Sequence, residues 1–359
     1  MRLLVVTNDY PPKPGGIQQY LGNVLRVLPD EVRVLAPADG PAEDEERVRR
    51  SERAFMWPTR ATKQWILSEA RAFEPDLILF GAPHPLAFLG RALRDELGVP
   101  YAVLCHGAEV TLPAAFPVAR QLLRRPLRDA DALFAVSKFT QQRLERLTGR
   151  AVGYVGGGVD PDRFSKIDRP LPPGPITIGC VSRFVPRKGQ LRLIKAAEML
   201  HAEGIAVEIL IVGRGRQEDA IRKAAARSPV AVRIEVDVPW ERLARLYGDM
   251  DVFCMPCKSR WGGLEIEGLG LVFLEAAATG LPVLAGDSGG SPETVRHGST
   301  GYVVSSVDDI VNRIRAIDAD RSLLATMGAA GRVMVEAEFT WSATADRMRA
   351  DLERLTAKK

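Results

Sequence analysis

The sequence predicts an α/β protein made of two similar parallel-sheet domains that face a cleft. Short apolar runs alternate with amphipathic stretches along the chain, which is the pattern of parallel strands joined by crossover helices. A chain of 359 residues exceeds one ordinary hydrophobic core, so two domains are expected. The segments Asp129–Ser137 and Asp249–Pro256 both pass from a helix end through aspartates into a strand, which supports a duplication.

Strand candidates occur in two series on either side of a proline-rich segment. Residues 168–175 contain four prolines and a glycine and form the predicted linker. We therefore expect an N-terminal domain over residues 1–167 and a C-terminal domain over residues 176–340. Within the last segment, 341–359, an amphipathic helix over Trp341–Leu355 is expected to cross back and pack on the N-terminal domain. The strand candidates are Leu3–Thr7, Val32–Ala36, Leu77–Phe80, Ala102–Cys105, Leu133–Val136 and Val152–Val155, then Ile176–Val181, Val207–Val212, Val232–Val236, Val252–Met255 and Val283–Ala285.

Composition excludes several classes of protein. Hydrophobic residues make up 46% and charged residues 26%, which are globular values, and no apolar run approaches a membrane span. The chain enters a strand at Leu3, so no signal peptide is expected. The four cysteines lie in apolar, strand-like runs, which favours reduced thiols in the cytosol. A net charge of +4 is too small to indicate a nucleic-acid partner.

Two glutamates flank a glycine-rich turn in the C-terminal half and direct the functional interpretation. Glu267 and Glu275 are separated by seven residues, and the turn between them opens the helix that carries Glu275. Free N–H groups at such a helix N-terminus suit a diphosphate, and the carboxylates suit neutral hydroxyls. A diphosphate joined to a hydroxyl-rich group is a nucleotide-sugar. The competing interpretation is an ordinary surface helix with exposed glutamates.

Two cations follow the first strand of the C-terminal half. Arg183 and Lys188 lie on one loop broken by Pro186, so both can converge on one diphosphate. Their attraction would strengthen as charge builds on the leaving diphosphate. The alternative is a solvated basic turn.

Two strand ends of the N-terminal half carry further candidates. After the first strand, Gly15 and Gly16 allow close approach of a ligand before a helix begins, and Asp9 stands at the base of the loop. His106 and the turn at Gly107 follow another strand, where ligands bind in open α/β sheets. A plain strand–helix turn and a structural histidine are the respective alternatives.

A basic helix is predicted over Pro117–Arg128. Arg120, Arg124 and Arg128 recur at every fourth residue, and such a face suits anionic lipid headgroups. A solvated helix surface explains the pattern equally well.

Three other signals are rejected. The Cys254-x-x-Cys257 pair has no second pair and no nearby histidine, as a zinc site would need. The Asp-x-Asp triplets at 129, 249 and 318 sit at helix ends or starts, where acids are common, so a metal is not expected. The segment Gly213-Arg-Gly215 does not complete a dinucleotide fingerprint, which argues against a nicotinamide cofactor.

Together these motifs resemble the retaining GT-B glycosyltransferases of family 4 over nearly the whole chain. The resemblance is carried by the Gly15-Gly16 loop, by Ser182-Arg-x-x-x-x-Lys-Gly, by Glu267-x7-Glu275 and by Gly280-x-Pro-Val. In closer detail, Asn8–Gln18, Ser182–Gln190 and Met255–Ala276 are similar to actinobacterial mannosyltransferases that add the second mannose to phosphatidylinositol monomannoside from GDP-mannose. The insertion Lys258–Ile266 also looks like that subgroup.

The resemblance implies roles for particular residues. Arg183 and Lys188 would hold the diphosphate, Glu275 the ribose and Glu267 the sugar hydroxyls. His106 would face the donor sugar, while Asp9 and Gly15 would contact the acceptor. The amides of the donor site would come from Gly16, Gly268, Leu269, Gly270, Leu271 and Val272.

The resemblance also implies a mechanism and a location. The family retains anomeric configuration without an obvious nucleophile, which implies same-face displacement without a metal or other cofactor. The enzyme would act on a lipid acceptor at the anionic, cytoplasmic face of the plasma membrane. Glu235-Val-Asp237-Val stands where many relatives have a glycine-rich turn framing the base, so the nucleotide base stays open. Another nucleotide-sugar, a soluble sugar or polyol acceptor, and a nucleotide-sugar epimerase remain as alternatives.

Overall fold

The structure is a computed structural model, and it describes residues 1–39, 46–165 and 174–356. The chain divides into two compact units, one formed by Met1–Gly158 with Trp341–Lys359 and the other by Val159–Thr340. The sequence placed this boundary later, at a linker over 168–175, most of which lies outside the described residues. The boundary falls earlier because Val159 and Phe164 already pack in the C-terminal unit, against Thr340 and Tyr247 respectively.

The N-terminal unit contains a seven-stranded parallel sheet in the order β3-β2-β1-β4-β5-β6-β7. Strands β4 and β5 are buried along their whole length, and β1 is buried from Leu3 onward, as expected of a parallel sheet covered on both faces. The strands are β1 (Arg2–Val6), β2 (Glu31–Ala36), β3 (Val48–Arg50), β4 (Leu77–Phe80), β5 (Tyr101–Cys105), β6 (Ala132–Ala135) and β7 (Gly153–Tyr154). The helices are α1 (Gly16–Val27), α2 (Arg60–Phe73), α3 (Gly90–Leu97), α4 (Ala108–Ala114), α5 (Pro117–Asp129) and α6 (Lys138–Thr148).

The C-terminal unit contains a six-stranded parallel sheet in the order β10-β9-β8-β11-β12-β13. Its strands are β8 (Ile176–Val181), β9 (Val207–Val212), β10 (Val232–Glu235), β11 (Val252–Met255), β12 (Val283–Gly286) and β13 (Gly301–Val304). Its helices are α7 (Gln190–Ala202), α8 (Glu218–Arg227), α9 (Trp240–Gly248), α10 (Leu271–Ala278), α11 (Val307–Ala319) and α12 (Ser322–Glu338).

The last helix, α13 (Trp341–Thr356), belongs to the N-terminal unit. Its buried face includes Met348 and Leu352. Thr344 Oγ1 donates to the carbonyl of Gly157 over 2.8 Å. This is the placement that the sequence predicted for the C-terminal helix.

Strand order identifies where each sheet can bind a ligand. In the N-terminal sheet the order reverses between β1 and β4, and in the C-terminal sheet between β8 and β11. Ligands of open α/β sheets bind beyond the carboxyl ends of the strands at such a reversal. The loop after β1 carries Asp9, Gly15 and Gly16, and the loops after β8 and β11 carry Lys188 and Glu267.

None of the described helices has the length and apolarity to span a membrane.

Candidate active site

The glycine-rich turn before α10 has the geometry expected of a ligand-binding helix start. Gly270 has φ +90°, a left-handed conformation, and a Cβ there would lie 2.6 Å from the ring of Phe273. Only glycine therefore fits without strain. No side chain caps the N-terminus of α10. Its first N–H groups are left without a side-chain acceptor, which suits an anionic ligand.

Glu267 and Glu275 are both buried, with residue exposures of 8% and 5%. The interpretation of an ordinary surface helix with exposed glutamates is therefore wrong. A buried carboxylate needs compensating partners. The two glutamates differ in the partners that they have.

Glu267 is compensated by two cations. Lys188 Nζ lies 2.7 Å from Oε2 of Glu267, and Arg187 pairs with the same oxygen. Burial raises the pKa of Glu267, but the charges and hydrogen bonds of Lys188 and Arg187 outweigh it and lower the pKa to about 2. Glu267 is therefore ionised at neutral pH.

The second oxygen of Glu267 remains open. Oε1 accepts no hydrogen bond from any residue that the structure describes, and it is not among the buried atoms that lack a partner. The backbone is fixed independently, because Glu267 N donates to Ser288 Oγ over 3.1 Å. One oxygen is thus held by the protein and the other can accept from a ligand hydroxyl.

Glu275 is compensated by a hydroxyl. Tyr247 donates to Oε2 of Glu275 over 2.7 Å. Burial raises the pKa of Glu275 to about 7, and the hydrogen bond from Tyr247 and the charge of Arg163 only partly oppose this. As in Glu267, Oε1 has no hydrogen-bond partner within the described residues.

The two predicted cations lie in different environments. Lys188 is buried, whereas Arg183 is exposed, and its side chain has no ion-pair or hydrogen-bond partner in the described part of the chain. Arg187, which was not among the predicted site residues, is the arginine that contacts Glu267. Arg183 and Arg187 lie on the same loop, and nothing in the sequence distinguishes the two. No sequence signal therefore indicated that Arg187 is the one that contacts Glu267.

Close backbone approaches hold this loop against its neighbours. A Cβ at Gly213 would lie 2.0 Å from the carbonyl oxygen of Ser182, and one at Gly189 would lie 2.4 Å from that of Pro256. Both glycines have positive φ. The rejected Gly213-Arg-Gly215 segment therefore has a packing function beside Arg183. After β10, Asp237 has φ +50° and pairs with Arg214 over 3.1 Å.

In the N-terminal unit, Asp9 lies in the loop after β1 and is hydrogen-bonded to the first turn of α1. Gln18 Nε2 donates to Oδ1 of Asp9 over 2.7 Å. Burial raises the pKa of Asp9, against the lowering effect of Lys13 and His106. A Cβ at Gly15 would lie 2.1 Å from Gln18 Oε1, whereas one at Gly16 would meet no atom within 4 Å. The helix start is therefore open at Gly16.

His106 is buried between an aromatic ring and a carbonyl group. Its Nε2 lies 3.0 Å from the carbonyl oxygen of Gly81, just after β4, so Nε2 carries the proton and donates. The ring of Tyr20 meets it edge to face at 5.3 Å. Burial lowers the pKa of His106, although Glu109 and the bond to Gly81 raise it. The imidazole is therefore neutral at pH 7, with Nδ1 as an acceptor.

The basic helix is observed as α5, but its arginines are not equally exposed. Arg120 and Arg128 are exposed, while Arg124 is half-buried with an Nε that finds no partner among the described residues. Arg128 Nε donates to the carbonyl of Thr148 over 3.2 Å. Leu123 and Leu127 are buried. Of the three arginines expected to face anionic lipid, Arg120 and Arg128 are thus exposed, whereas Arg124 is partly covered by the protein.

The rejected metal and redox signals have structural explanations. Cys254 is buried in β11, and the thiol of Cys257 donates to Ser291 Oγ over 3.4 Å. Burial raises the pKa of Cys257 to about 11, so the thiol is protonated. Within residues 1–39, 46–165 and 174–356 no group of three or more histidine, cysteine or acidic side chains is arranged to hold a metal.

Comparison with known proteins shows the family. The profile of Glycosyltransferase Family 4 matches residues 14–163, and that of Glycosyl transferases group 1 matches residues 162–334. The GDP-mannose-dependent alpha-(1-6)-phosphatidylinositol monomannoside mannosyltransferase of Mycobacterium tuberculosis is 37% identical, with 97% of each chain covered. A GDP-mannose-dependent monoacylated alpha-(1-6)-phosphatidylinositol monomannoside mannosyltransferase of Corynebacterium glutamicum is 35% identical over 97% of this chain and 96% of its own.

Solved structures share the fold at lower identity. Anabaena HepE in complex with UDP is 20% identical, with a TM-score of 0.81 over 99% of this chain and 100% of its own. Sucrose-phosphate synthase from Thermosynechococcus elongatus is 20% identical, with a TM-score of 0.80 and full coverage of both chains. These structures confirm the predicted GT-B fold of two Rossmann-like domains. The chain therefore belongs to the family 4 glycosyltransferases and is an enzyme of that family.

Proposed function

We propose that the enzyme transfers α-mannose from GDP-mannose to phosphatidylinositol monomannoside, with retention of configuration. The observation that carries this proposal is the 35–37% identity, over 97% of the chain, to enzymes named for that reaction. The geometry of Glu267 and Glu275 supports it, because each holds one carboxylate oxygen by protein contacts and leaves the other for a ligand hydroxyl.

In this proposal the C-terminal unit binds the donor. Lys188 and Arg183 contact the diphosphate, and the amides of 268–272 at the start of α10 complete the anion site. Oε1 of Glu267 accepts from mannose hydroxyls, and Oε1 of Glu275 accepts from the ribose. The cations and amides supply positive charge without a metal, so we propose that the enzyme needs no divalent cation.

The proposed chemistry is a same-face displacement. The acceptor hydroxyl oxygen forms a bond to the anomeric carbon as the bond from that carbon to the diphosphate breaks. The hydroxyl proton passes to the leaving diphosphate oxygen, so the products are GDP and the mannosylated acceptor. The contribution of the protein is positioning and electrostatic stabilisation of the departing charge.

The N-terminal unit is proposed to serve the acceptor and the donor sugar. Asp9, with the backbone at Gly15, would contact an acceptor hydroxyl, and Gly16 would offer an amide at the open start of α1. His106 is neutral and directed by Gly81, so its Nδ1 would accept a hydrogen bond from a sugar hydroxyl rather than present a positive charge.

We further propose that α5 and the end of α4 bind the cytoplasmic surface of the plasma membrane, with anionic lipid as the partner. Arg120 and Arg125 are exposed, and on the same helix Val118 and Leu122 are 74% and 48% exposed. Phe116, at the start of the helix, is 57% exposed. Exposed apolar side chains beside arginines are the composition of an interfacial helix.

Transfer is tested with radiolabelled GDP-mannose and purified phosphatidylinositol monomannoside in detergent. Labelled lipid is expected, and labelled UDP-glucose should give none. Product from UDP-glucose alone would overturn the donor assignment. Transfer to soluble inositol phosphate in preference to the lipid would overturn the acceptor assignment, an outcome motivated by a 31% identical D-inositol 3-phosphate glycosyltransferase of Nocardia farcinica that covers 72% of this chain.

Membrane binding is tested by flotation with vesicles containing phosphatidylinositol. The double variant Arg120→Glu with Arg125→Glu should lose flotation, and Val118→Ser with Leu122→Ser should weaken it. The matched control, Arg222→Glu with Arg227→Glu on exposed positions of α8, should float like the wild type. Unchanged flotation of both α5 variants would contradict the proposed surface.

A further inference from the structure

Three charged side chains form a buried cluster beneath the proposed diphosphate site. Arg187 and Lys188 are neighbours on one turn, and both contact the same oxygen, Oε2 of Glu267. The side-chain exposures are 11%, 9% and 10% for Arg187, Lys188 and Glu267. One carboxylate thus faces two cations, so one positive charge in the cluster is not neutralised by Glu267.

Arg187 matters because Lys188 has two possible partners, Glu267 and the diphosphate of the donor. In the proposed function its ammonium group turns toward the donor diphosphate. If Lys188 were the partner of Glu267 on its own, that movement would strand a buried carboxylate, which is strongly unfavourable. Glu267 would therefore hold Lys188 back and oppose donor binding.

Contacts other than Lys188 hold Arg187 in position, so Arg187 can stay where it is when Lys188 moves. Its Nε lies 3.7 Å from Oε1 of Glu265, while its Nη1 contacts Glu267. Its carbonyl accepts from Lys258 N over 2.8 Å. Glu265 is fixed in turn by Arg260, whose Nη1 lies 3.2 Å from Oε2 of Glu265 and whose backbone N–H donates to the carbonyl of Glu265 over 2.9 Å.

We propose that Arg187 is a positioning residue that stays paired with Glu267 and thereby releases Lys188 to the diphosphate of the donor. The proposal rests on the diphosphate role of Lys188 in the proposed function. The planar guanidinium of Arg187 suits this task, because separate N–H groups reach the carboxylates of Glu265 and Glu267 at once. Glu265 and the insertion Lys258–Ile266, which carries it, then form the support of the donor site.

The experiment is calorimetric titration of the full-length protein with GDP and, separately, with UDP. The nucleotide that the wild type binds more tightly is used for every variant, so the result does not depend on the identity of the base. Arg187→Met should weaken nucleotide binding by roughly ten- to a hundredfold, the scale for a hydrogen bond to a charged group. Arg222→Met, which removes an exposed arginine on α8, should bind like the wild type.

The double variant Arg187→Met with Glu267→Gln decides the mechanism. Without the carboxylate of Glu267, Lys188 is free to pair with the diphosphate. Nucleotide affinity should therefore return to within about threefold of the wild type. Glu267→Gln alone should bind the chosen nucleotide at least as tightly as the wild type. A double variant as weak as Arg187→Met would overturn the proposal, because it would show that Arg187 contacts the diphosphate itself.

If Arg187→Met fails to fold, Glu265→Gln tests the same proposal through the residue that supports Arg187. Glu265 is partly exposed, so this variant should fold, and it should weaken nucleotide binding several-fold through the loss of its bond to Arg187. Wild-type affinity in Glu265→Gln and in Arg187→Met would overturn the proposal. A wild type that binds neither nucleotide would overturn the proposed function as well.

Discussion

The hydroxyl of Tyr247 donates a 2.7 Å hydrogen bond to Oε2 of Glu275, and both residues are buried. Burial raises the pKa of the Tyr247 hydroxyl well above its usual value, so the group stays protonated and acts as the donor. The rings of Phe164 and Phe253 surround the tyrosine. Tyr247 thus fixes the carboxyl group that we propose for the ribose and orients its free oxygen.

Removal of this hydroxyl should weaken donor binding. Tyr247→Phe is expected to raise the KM for GDP-mannose about five- to tenfold, the effect of one hydrogen bond of about 1–1.5 kcal/mol. The kcat should change little, because the ribose is held equally in the ground and transition states. Steady-state kinetics with varied donor measure both constants. The control Tyr101→Phe removes another buried hydroxyl, which bonds the carbonyl of Pro126, and it should leave the KM unchanged.

The raised pKa of Glu275 predicts a pH-dependent stability. Between the ordinary value of 4.5 and the folded value of about 7, the native state binds more protons than the unfolded state. Stability from this group is therefore lost as the pH rises through that window. Glu275→Gln should stabilise the ligand-free protein by on the order of 2–3 kcal/mol more at pH 8 than at pH 5. Denaturant unfolding at both pH values measures the difference.

An equal effect of Glu275→Gln at pH 5 and pH 8 would contradict this prediction. Glu218→Gln, on the partly exposed start of α8, provides the control. Its effect on the free energy of unfolding should be small at both pH values.

The electrostatic role of the cations predicts losses in turnover. Lys188→Ala and Arg183→Ala should each reduce kcat by roughly a hundredfold, the scale for one donor to developing charge. Arg222→Ala, on the exposed face of α8, should retain the wild-type rate. Near-normal rates in both Lys188→Ala and Arg183→Ala would discredit the diphosphate site.

The start of α10 predicts a steric sensitivity. Gly270→Ala should destabilise the protein by about 1–3 kcal/mol, since a Cβ would meet the Phe273 ring in a left-handed backbone. Gly204 has a similar φ, +80°, with no atom within 4 Å of a Cβ. Gly204→Ala therefore carries the backbone cost alone and should destabilise less. Equal losses in chemical denaturation would show that the Phe273 contact relaxes without cost.

Apolar periodicity was sufficient to find most of the fold. Every strand named from the sequence is present, because buried parallel strands are short, continuous apolar runs. Two strands were missed, Val48–Arg50 and Gly301–Val304. The first is an edge strand with two arginines, and the second follows a glycine-rich turn with half-exposed residues. Edge strands need only one buried face, so their sequences lack the apolar run.

Part of the geometry at the candidate site follows from sequence spacing. Lys188 contacts Glu267, and Glu275 belongs to the same unit; their roles toward a ligand stay predictions. Arg187 could not be found this way, because it becomes distinctive only when the strand order brings Glu265 and Glu267 beside it. Tyr247 was missed for the same reason, since its partner Glu275 is distant in sequence.

The C-terminal helix α13 has a consequence for how the chain matures. Trp341 packs edge to face on Tyr20, the ring that also borders His106, and leaves no room for a side chain at Gly158. During synthesis the unit that contains Met1–Gly158 therefore lacks this part of its packing until α13 has left the ribosome. In a nascent chain halted before Trp341, the Tyr20 ring that borders His106 would lack its packing partner.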